Sequence, residues 1–349
     1  MTTVALPRSS AFTDAVIDMA HGAGGKASRR LIEGLIVPAT MAGVAGEGLG
    51  DAACLTVGTA RLAITTDSFV VRPLRFPGGS IGELAVNGTV NDLAVSGALP
   101  VALVCSLIVE AGLATDVLRT EMTAIGVAAS RAGVLVVGGD TKVVEHGKAD
   151  GMYITTTGLG QVDPRTALSV AAVRPGDSIL ISGHIGDHGV TVLLARGEVD
   201  LMANLRSDTR SVYPLVRALV DAVGPDVRWM RDPTRGGLAT SLNELARDCG
   251  LAIVLEEDAV PVRDEVRGAC ELLGLDPLHI ANEGQFVAVV AAESASRALD
   301  ALRRVPGGDS ASMIGRVEVA PARTVLAVAP YGGTRVVDML VGDPLPRIC

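Results

Sequence analysis

Four aspartates mark where the first half of this chain could do chemistry. Asp51 precedes Ala52-Ala53 and a strand-like run, Asp67 closes the run Leu62–Thr66, Asp92 follows Asn91, and Asp140 follows Gly138-Gly139. Strand ends are where ligand sites gather in α/β sheets. Carboxylates there suit Mg²⁺, a hard ion that keeps phosphate oxygens among its ligands. Taken singly, each Asp is equally a turn residue or helix cap, and spacing alone does not make the four converge. The turn His21-Gly22-Ala23-Gly24-Gly25-Lys26 is rich in N–H donors and leads into a helix; it reads either as a phosphate wrap or as a plain glycine loop. It is neither a Walker A sequence nor a GxGxxG.

The second half has its own polar islands. Arg231-Asp232-Pro233-Thr234-Arg235-Gly236-Gly237 opens a helix, which makes it an anion cradle or an ordinary N-cap with a basic neighbour. His184 and His188 stand four apart in Gly183-His184-Ile185-Gly186-Asp187-His188-Gly189. The flanking glycines argue against a helix that presents both to a metal and favour a structural role. Glu283 lies in Ala281-Asn282-Glu283-Gly284 before an apolar run. A carboxyl so placed can have a raised pKa and act as a base, or it is a solvated loop Glu.

The last residue is Cys349. Pro344 and Pro346 forbid a helix on its approach and favour an extended segment. The stretch from Gly333 reaches at most about 55 Å when extended, and chain ends are usually mobile. Prenylation would need Cys four from the end. The thiol therefore reads as a reactive group on a mobile tail, with an incidental last residue as the alternative. The other four cysteines, Cys54, Cys105, Cys249 and Cys270, read as small core residues. An odd count without a CxxC pair argues against a disulfide framework and a Cys-rich zinc site.

The elements that must position these groups follow from periodicity. Strands are expected over 53–57, 61–65, 101–109, 134–137 and 153–160, with helices from about 28, over 80–96 (Ser80 and Glu83 as a capping box) and over 115–132 (Thr115 as N-cap). A boundary is expected between Pro164 and Pro175. Beyond it come strands at 178–182, 252–255, 285–290 and 324–328, and helices at about 188–196, 208–223, 236–249 and 294–304. This divides the 349 residues into an N-terminal segment (1–45), a first domain (46–163), a second (164–330) and a tail (331–349), an α+β organisation. Hydrophobic residues make up 48% but aromatics only 2%, and glycine numbers 41, so the cores rest on aliphatic side chains and close backbone approach. The net charge of −9 argues against a nucleic-acid partner but permits a nucleotide bridged by divalent ions. No apolar run approaches the roughly 20 residues of a membrane span, and the start lacks a signal-peptide pattern; a cytoplasmic location is expected.

These segments resemble a known family. HGAGGK (21–26), TTDSFVV (65–71), FPGGSIGELAVNGTVNDLAVSGA (76–98), GGDTKVVE (138–145), GHIGDHG (183–189), DPTRGGL (232–238), ANEG (281–284) and PRIC (346–349) are similar to the HypE hydrogenase maturation factors of the PurM-like (aminoimidazole ribonucleotide synthetase-like) ATP-binding superfamily. Selenophosphate synthetases and thiamine-monophosphate kinases share the body plan. The former carry a reactive residue near the N-terminus that is absent here, and neither is expected to end in PRIC. One departure is Gly50, where many relatives have a second Asp before the Ala-Ala pair.

The resemblance implies a two-domain PurM-like fold, a four-stranded sheet closing a barrel across a homodimer, an α/β sandwich domain and a mobile tail. It implies ATP and Mg²⁺, the ion on Asp51, Asp67, Asp92 and Asp140. ATP contacts are implied at Gly24, Gly25, Lys26, Asp67, Asn91, Asp92, Gly139, Asp140, Thr141, Asp232, Thr234 and Arg235. In this picture a carbamoyltransferase, HypF, loads Cys349, and ATP-dependent dehydration turns the S-carboxamide into an S-cyanide. Lys142 steadies the γ-phosphate, Glu283 is the base, and the cyanide passes to the HypC–HypD iron scaffold. The alternatives are a small-molecule kinase or synthetase of the same superfamily and a nucleotide-binding scaffold.

Overall fold

The glycine turn leads into α1 (Lys26–Leu31), a π-turn over Ile32–Ile36 and α2 (Val37–Thr40). The computed structural model describes residues 11–40, 50–197, 201, 203–342, 345 and 347–349; Pro344 and Pro346, on which the expected extended approach rests, lie outside these. The N-terminal segment lies on the second domain, where Arg29 pairs with Glu244 and Glu33 with Arg247.

The first domain contains β1 (Ala53–Val57), β2 (Ala60–Phe69), the short hairpin β3 (Arg75–Phe76) and β4 (Gly79–Ser80), α3 (Ile81–Val95), β5 (Ala98–Glu110), α4 (Thr115–Ala132), β6 (Leu135–Val144) and β7 (Met152–Val162). Its sheet has the order β1-β2-β7-β5-β6, five strands where four were expected. The addition is edge strand β1, which pairs with β2 from Ala53↔Ile64 to Val57↔Ala60. Only β5 and β6 run parallel, because α4 carries the chain back between them. In α3 the only charges are Glu83 and Asp92, and 13 residues of the helix are buried; a helix apolar all round belongs in a core. The Ser80–Glu83 capping box does not form. Ser80 makes no side-chain cap, and the Gly82 N–H instead donates to the buried Glu121 carboxylate at 3.1 Å. Thr115 is the first helical residue of α4 and Ala114 holds the cap position.

One face of this sheet is covered by α3. The other leaves Leu55, Ile64, Val104, Ile108 and Leu135 exposed, an apolar surface of the kind that marks an interface. Cys54 belongs to exposed β1 rather than a core, Cys105 and Cys249 are half-buried, and Cys270 is buried.

The second domain contains β8 (Ser178–Ile181), α5 (Asp187–Ala195), α6 (Tyr213–Val223), β9 (Val227–Arg231), α7 (Gly237–Cys249), β10 (Ala252–Glu256), α8 (Asp264–Leu273), β11 (Val287–Val290), α9 (Ala295–Arg303), β12 (Ser312–Glu318), β13 (Thr324–Val328) and β14 (Thr334–Val337). The sheet order is β14-β13-β10-β12-β8-β11-β9. Helix α7 packs on one face with Ile253 and Val325, while α6 and α9 pack on the other with Leu180 and Ala288. The expected helix from 208 begins only at Tyr213, with proline in its first turn, a position where a missing N–H costs nothing. Residues before it are held elsewhere, as described below. Among the described residues no helix is long and apolar enough to cross a membrane.

A third core joins the domains. Phe69, Val71 and Ile81 of the first pack with Val190, Val266 and Ile280 of the second, and with Leu345 and Ile348. The segment expected as a mobile tail is thus docked in this structure. It begins as β14, paired with β13. Lys26 and Ala27 then donate to the carbonyls of Leu340 and Val341, and a Cβ on Gly25 would stand 2.3 Å from the Leu340 oxygen. At its end, Val70 N–H donates to Cys349 O at 3.1 Å and Arg72 N–H to Arg347 O at 3.4 Å. The pairing is antiparallel, a strand-addition mode that uses backbone groups for affinity.

Candidate functional site

Strand β2 carries Thr65 and Asp67 to its end, α3 carries Asp92, and β9 delivers Arg231 and Asp232 from the other domain. Together with Asp51 they line a cleft of ≈ 280 Å³, closed on one side by Gly24, Gly25, Thr234 and Arg235. One oxygen from each of Asp51, Asp92 and Asp232 lies within 4.8 Å of the others. The Thr65 hydroxyl sits between the backbone oxygen of Asp51 (2.8 Å) and Asp92 Oδ2 (2.7 Å), which ties two of these aspartates together. Arg231 Nε meets Asp51 at 2.7 Å and its Nη2 meets Glu244 at 3.3 Å.

This concentration of buried carboxylates perturbs them all. Burial pushes the Asp51 carboxyl up to about 6, against the pull of Arg231 and with help from Glu244 and Asp67. Asp92 and Asp232 are driven well above the usual carboxylate range, first by burial and then by the charge of Asp232 at Asp92 and of Asp51 at Asp232. Asp67 is raised by burial, opposed by Arg235. Like charges crowded in this way are the setting in which a divalent cation relieves repulsion, and an all-oxygen donor set suits a hard ion.

The two glycine-bearing motifs meet here. Arg235 Nη1 donates to Gly22 O at 2.9 Å, and a Cβ on Gly24 would stand 2.8 Å from that of Arg235. Gly236 and Gly237 both hold left-handed conformations, and a Cβ on Gly237 would approach the carbonyl oxygens of Leu278 and Ile280 at 2.6 Å. His21, by contrast, is buried beside Asp14, Asp18 and Phe12, a structural position.

Glu283 is held by its neighbours on every side. Asn282 donates to Pro233 O and Ile280 O and accepts from Gly186 N–H. Asn91 donates to Glu283 O at 3.2 Å and Arg210 O at 3.0 Å. The Glu283 and Gly284 N–H groups donate to the Asp208 carboxylate, each at 3.1 Å. The Glu283 side chain itself is buried, and its Oε1 has no protein partner among the described residues. The Cys349 thiol lies within hydrogen-bonding reach of this carboxyl, whose pKa is raised well above normal by burial and then by the charges of Asp232, Asp67 and Asp208.

Of the residues singled out in the sequence, Asp51, Asp67, Asp92, Asp232, Gly24, Gly25, Thr234 and Arg235 share the cleft, with Glu283 and Cys349 alongside. Several others do not converge within one chain. Asp140 and Lys142 pair with each other at 2.7 Å, exposed on β6, and Lys142 holds the Asp140 carboxyl low. The register explains it: Asp140 faces Ser106, which faces Thr155, which faces Ser68. That places Asp140 three strands, about 14 Å, from the strand of Asp67. Neighbouring Gly139 is needed for packing, since a Cβ there would meet Cys105 O at 1.8 Å, and Thr141 stays with it on β6. The Lys26 ammonium turns to Asp338, and Asn91 is a fully buried clamp rather than part of the cleft wall. The third member of the carboxylate triad is therefore Asp232, not Asp67 or Asp140. Sequence reading placed Arg231 in the polar island before Asp232 without a role of its own, and passed over Glu244, Thr65 and Ser28, which also line the cleft.

A family profile described as AIR synthase related protein, N-terminal domain, matches residues 49–162, and its C-terminal counterpart matches residues 174–327. The chain is 49% identical over 336 residues to the carbamoyl dehydratase HypE of Azotobacter vinelandii, covering 95% of this chain and 97% of that one. It is 42% identical over 337 residues to that of Escherichia coli K12, covering 95% and 99%. Among solved structures it is similar to a HypE–HypF complex (TM-score 0.84, 39% identity, 89% of this chain and 99% of that one). It also matches a hydrogenase maturation protein HypE in complex with ATP (TM-score 0.79, 44% identity, 95% and 99%).

Proposed function

Because the chain belongs to the AIR synthase related family and, within it, to the HypE group, we propose that it is an ATP-dependent carbamoyl dehydratase whose substrate is its own Cys349 S-carboxamide. The observation that carries this reading is the docked thiol, set against the buried carboxyl of Glu283 beside the aspartate cleft. Nothing in a small-molecule kinase calls for a cysteine there.

An amide oxygen leaves poorly, and its transfer to phosphorus makes departure feasible. The carbamoyl oxygen attacks the γ-phosphorus of ATP, and the bond to the β-phosphate oxygen breaks to release ADP. One N–H proton is lost as the imidate phosphate forms. Loss of the second N–H proton expels phosphate and leaves the S–C≡N group. Glu283, whose carboxyl the thiol reaches, takes the first proton, passes it to solvent and then takes the second. Asp51, Asp92 and Asp232 would hold Mg²⁺, which supplies charge neutralisation for the triphosphate. Neutralising Asp232 there would also remove the largest of the charges that raise the Glu283 pKa, which would bring it towards the range of a working base. Gly24, Gly25, Thr234 and Arg235 wall the cleft where the phosphates would sit.

In this reading the exposed apolar face of the first sheet closes a barrel with a second copy of the chain, and Asp140 and Lys142, exposed on edge strand β6, serve the cleft of that copy. A carbamoyltransferase of the HypF kind, the partner in the related HypE–HypF complex, loads Cys349, and an iron scaffold of the HypC–HypD kind receives the cyanide for a NiFe-hydrogenase centre.

The test is the mass of the tail peptide after incubation with the carbamoyltransferase, carbamoyl phosphate and ATP-Mg. An adduct of a carbamoyl group should form on Cys349 and then lose one water. A carbamoyl adduct that persists through ATP hydrolysis, or either adduct in Cys349→Ala, refutes the proposal.

A further inference from the structure

The carbonyls of the docked segment point in different directions, and Arg347 itself holds a left-handed conformation with φ 59°. Those of Arg347 and Cys349 face the first domain, where Arg72 and Val70 donate to them. Arg196 joins that side, with Nη2 on Arg347 O at 2.8 Å and Nε on Arg72 O at 3.0 Å. The Ile348 carbonyl points the opposite way, into the second domain, and meets His188 Nε2 at 2.8 Å. His188 is fully buried at the start of α5, with the ring of Phe76 edge-on at 5.4 Å.

The protons on this ring are determined by its partners. A carbonyl only accepts, so Nε2–H donates to Ile348 O. The Nδ1 lone pair then accepts from the Ser207 hydroxyl at 2.8 Å, and Ser207 Oγ accepts the Thr209 N–H at 3.1 Å. Burial holds the ring neutral, with its pKa pushed down to about 4. The floor around it is shaped to the tail: a Cβ on the next residue, Gly189, would stand 2.5 Å from Ile280 and 3.2 Å from Leu345. The residue after Ser207 is Asp208, whose carboxylate binds the Glu283 and Gly284 N–H groups. Adjacent residues of one loop thus hold the base directly and the thiol's neighbour through His188.

We propose that His188 is a positioning residue: with Ser207 it latches the Ile348 carbonyl and so sets the Cys349 thiol against Glu283. The catalytic consequence rests on the reading of Cys349 as substrate carrier; the latch itself does not. Displacements of about 1 Å can cost two orders of magnitude in rate, so a single bond on this side of the strand has leverage.

The experiment compares the full-length wild-type chain with His188→Leu, His188→Gln and Ser207→Ala. First, resting protein is exposed to N-ethylmaleimide and Cys349 alkylation is followed by mass of the tail peptide, which separates it from exposed Cys54. Alkylation should be about tenfold faster in His188→Leu, the worth of one buried hydrogen bond, and in Ser207→Ala intermediate. It should return to the wild-type rate in His188→Gln, whose amide can donate to Ile348 O and accept from Ser207. Second, conversion of preloaded carbamoyl adduct to cyanide adduct should slow about tenfold or more in His188→Leu, with loading unchanged and recovery in His188→Gln. Wild-type alkylation and conversion in folded His188→Leu overturn the proposal. Equal loss in the Leu and Gln variants also overturns it, since that is the behaviour of a core residue. Should His188→Leu fail to fold, a wild-type alkylation rate in Ser207→Ala is the refuting result. If no protein, wild type included, makes a cyanide adduct, the proposed function fails while the alkylation arm still decides the latch.

Discussion

The aspartate cleft should make the metal-free protein less stable as pH rises, and Asp51→Asn should remove part of that loss. Burial raises the Asp51 carboxyl to about 6 in the fold, against 3.8 for an ordinary aspartate. A folded-state pKa above the unfolded one means that the native state binds its proton more tightly, so stability falls as pH rises through this window and is flat above it. At about 1.4 kcal/mol per unit, Asp51 alone accounts for about 3 kcal/mol, of which about 2 kcal/mol falls between pH 4.5 and 7.5. The Asn variant keeps an acceptor for Arg231, which lies 2.7 Å from Asp51, and removes one of the charges that raise Asp92 and Asp232. Thermal melts in EDTA at pH 4.5 and 7.5 should therefore show a pH-dependent drop in the wild type that exceeds the variant's by roughly 5 °C. Mg²⁺ at pH 7.5 should restore the wild type and do little for the variant. An Asp51→Asn protein that is less stable than wild type in EDTA at pH 7.5, or that shows the same pH slope, would refute the electrostatic account.

Glu283→Gln should slow conversion of the carbamoyl to the cyanide adduct by about 10²–10⁴-fold with loading of Cys349 intact, read by single-turnover mass spectrometry. Ile348→Ala removes a side chain that is 1% exposed; losing about 1.5–3 kcal/mol of burial should shift docking by about 10- to 150-fold, seen as faster maleimide labelling of Cys349 with an unchanged melting temperature for the body. Because Asp140 and Lys142 stand outside their own cleft, an equimolar mixture of Lys142→Ala and Glu283→Gln chains should recover about a quarter of wild-type turnover through mixed dimers, whereas each variant alone is impaired. No recovery, with subunit exchange verified by native mass, would place Lys142 in its own chain's site.

Much of the scaffold was readable from pattern. Residues 53–57, 115–132 and 324–328 form their elements to the residue, since alternation or a long amphipathic repeat dominates there. The segments Val227–Arg231, Ser312–Glu318 and Thr334–Val337, and helix Asp264–Leu273, passed unread. They are short or interrupted by Arg, Glu and Gly, and they are strands or helices because a sheet edge or a core face is there to receive them. The Ser80–Glu83 pair reads as a cap, yet Glu121 from α4 takes the N–H it would serve.

The site divides along the same line. Residue type and local setting sufficed for the acidic, glycine-rich, thiol-bearing character of the chemistry: Asp at strand ends, glycines where a Cβ cannot fit, a cysteine at the last position. Those are properties of single positions and their chain neighbours. Which of them meet is a property of strand order and domain packing. Sequence adjacency put Lys26 with Gly24 and Gly25, and a shared setting and the resemblance put Asp140 with Asp67 and Asp92, but within one chain β6 lies three strands from β2 and the Lys26 ammonium has a nearer carboxylate in Asp338. Conversely, Asp232 joins Asp51 and Asp92 from more than a hundred residues away, and Cys349 reaches Glu283 only because Ile348 and Leu345 find a core that two domains build between them.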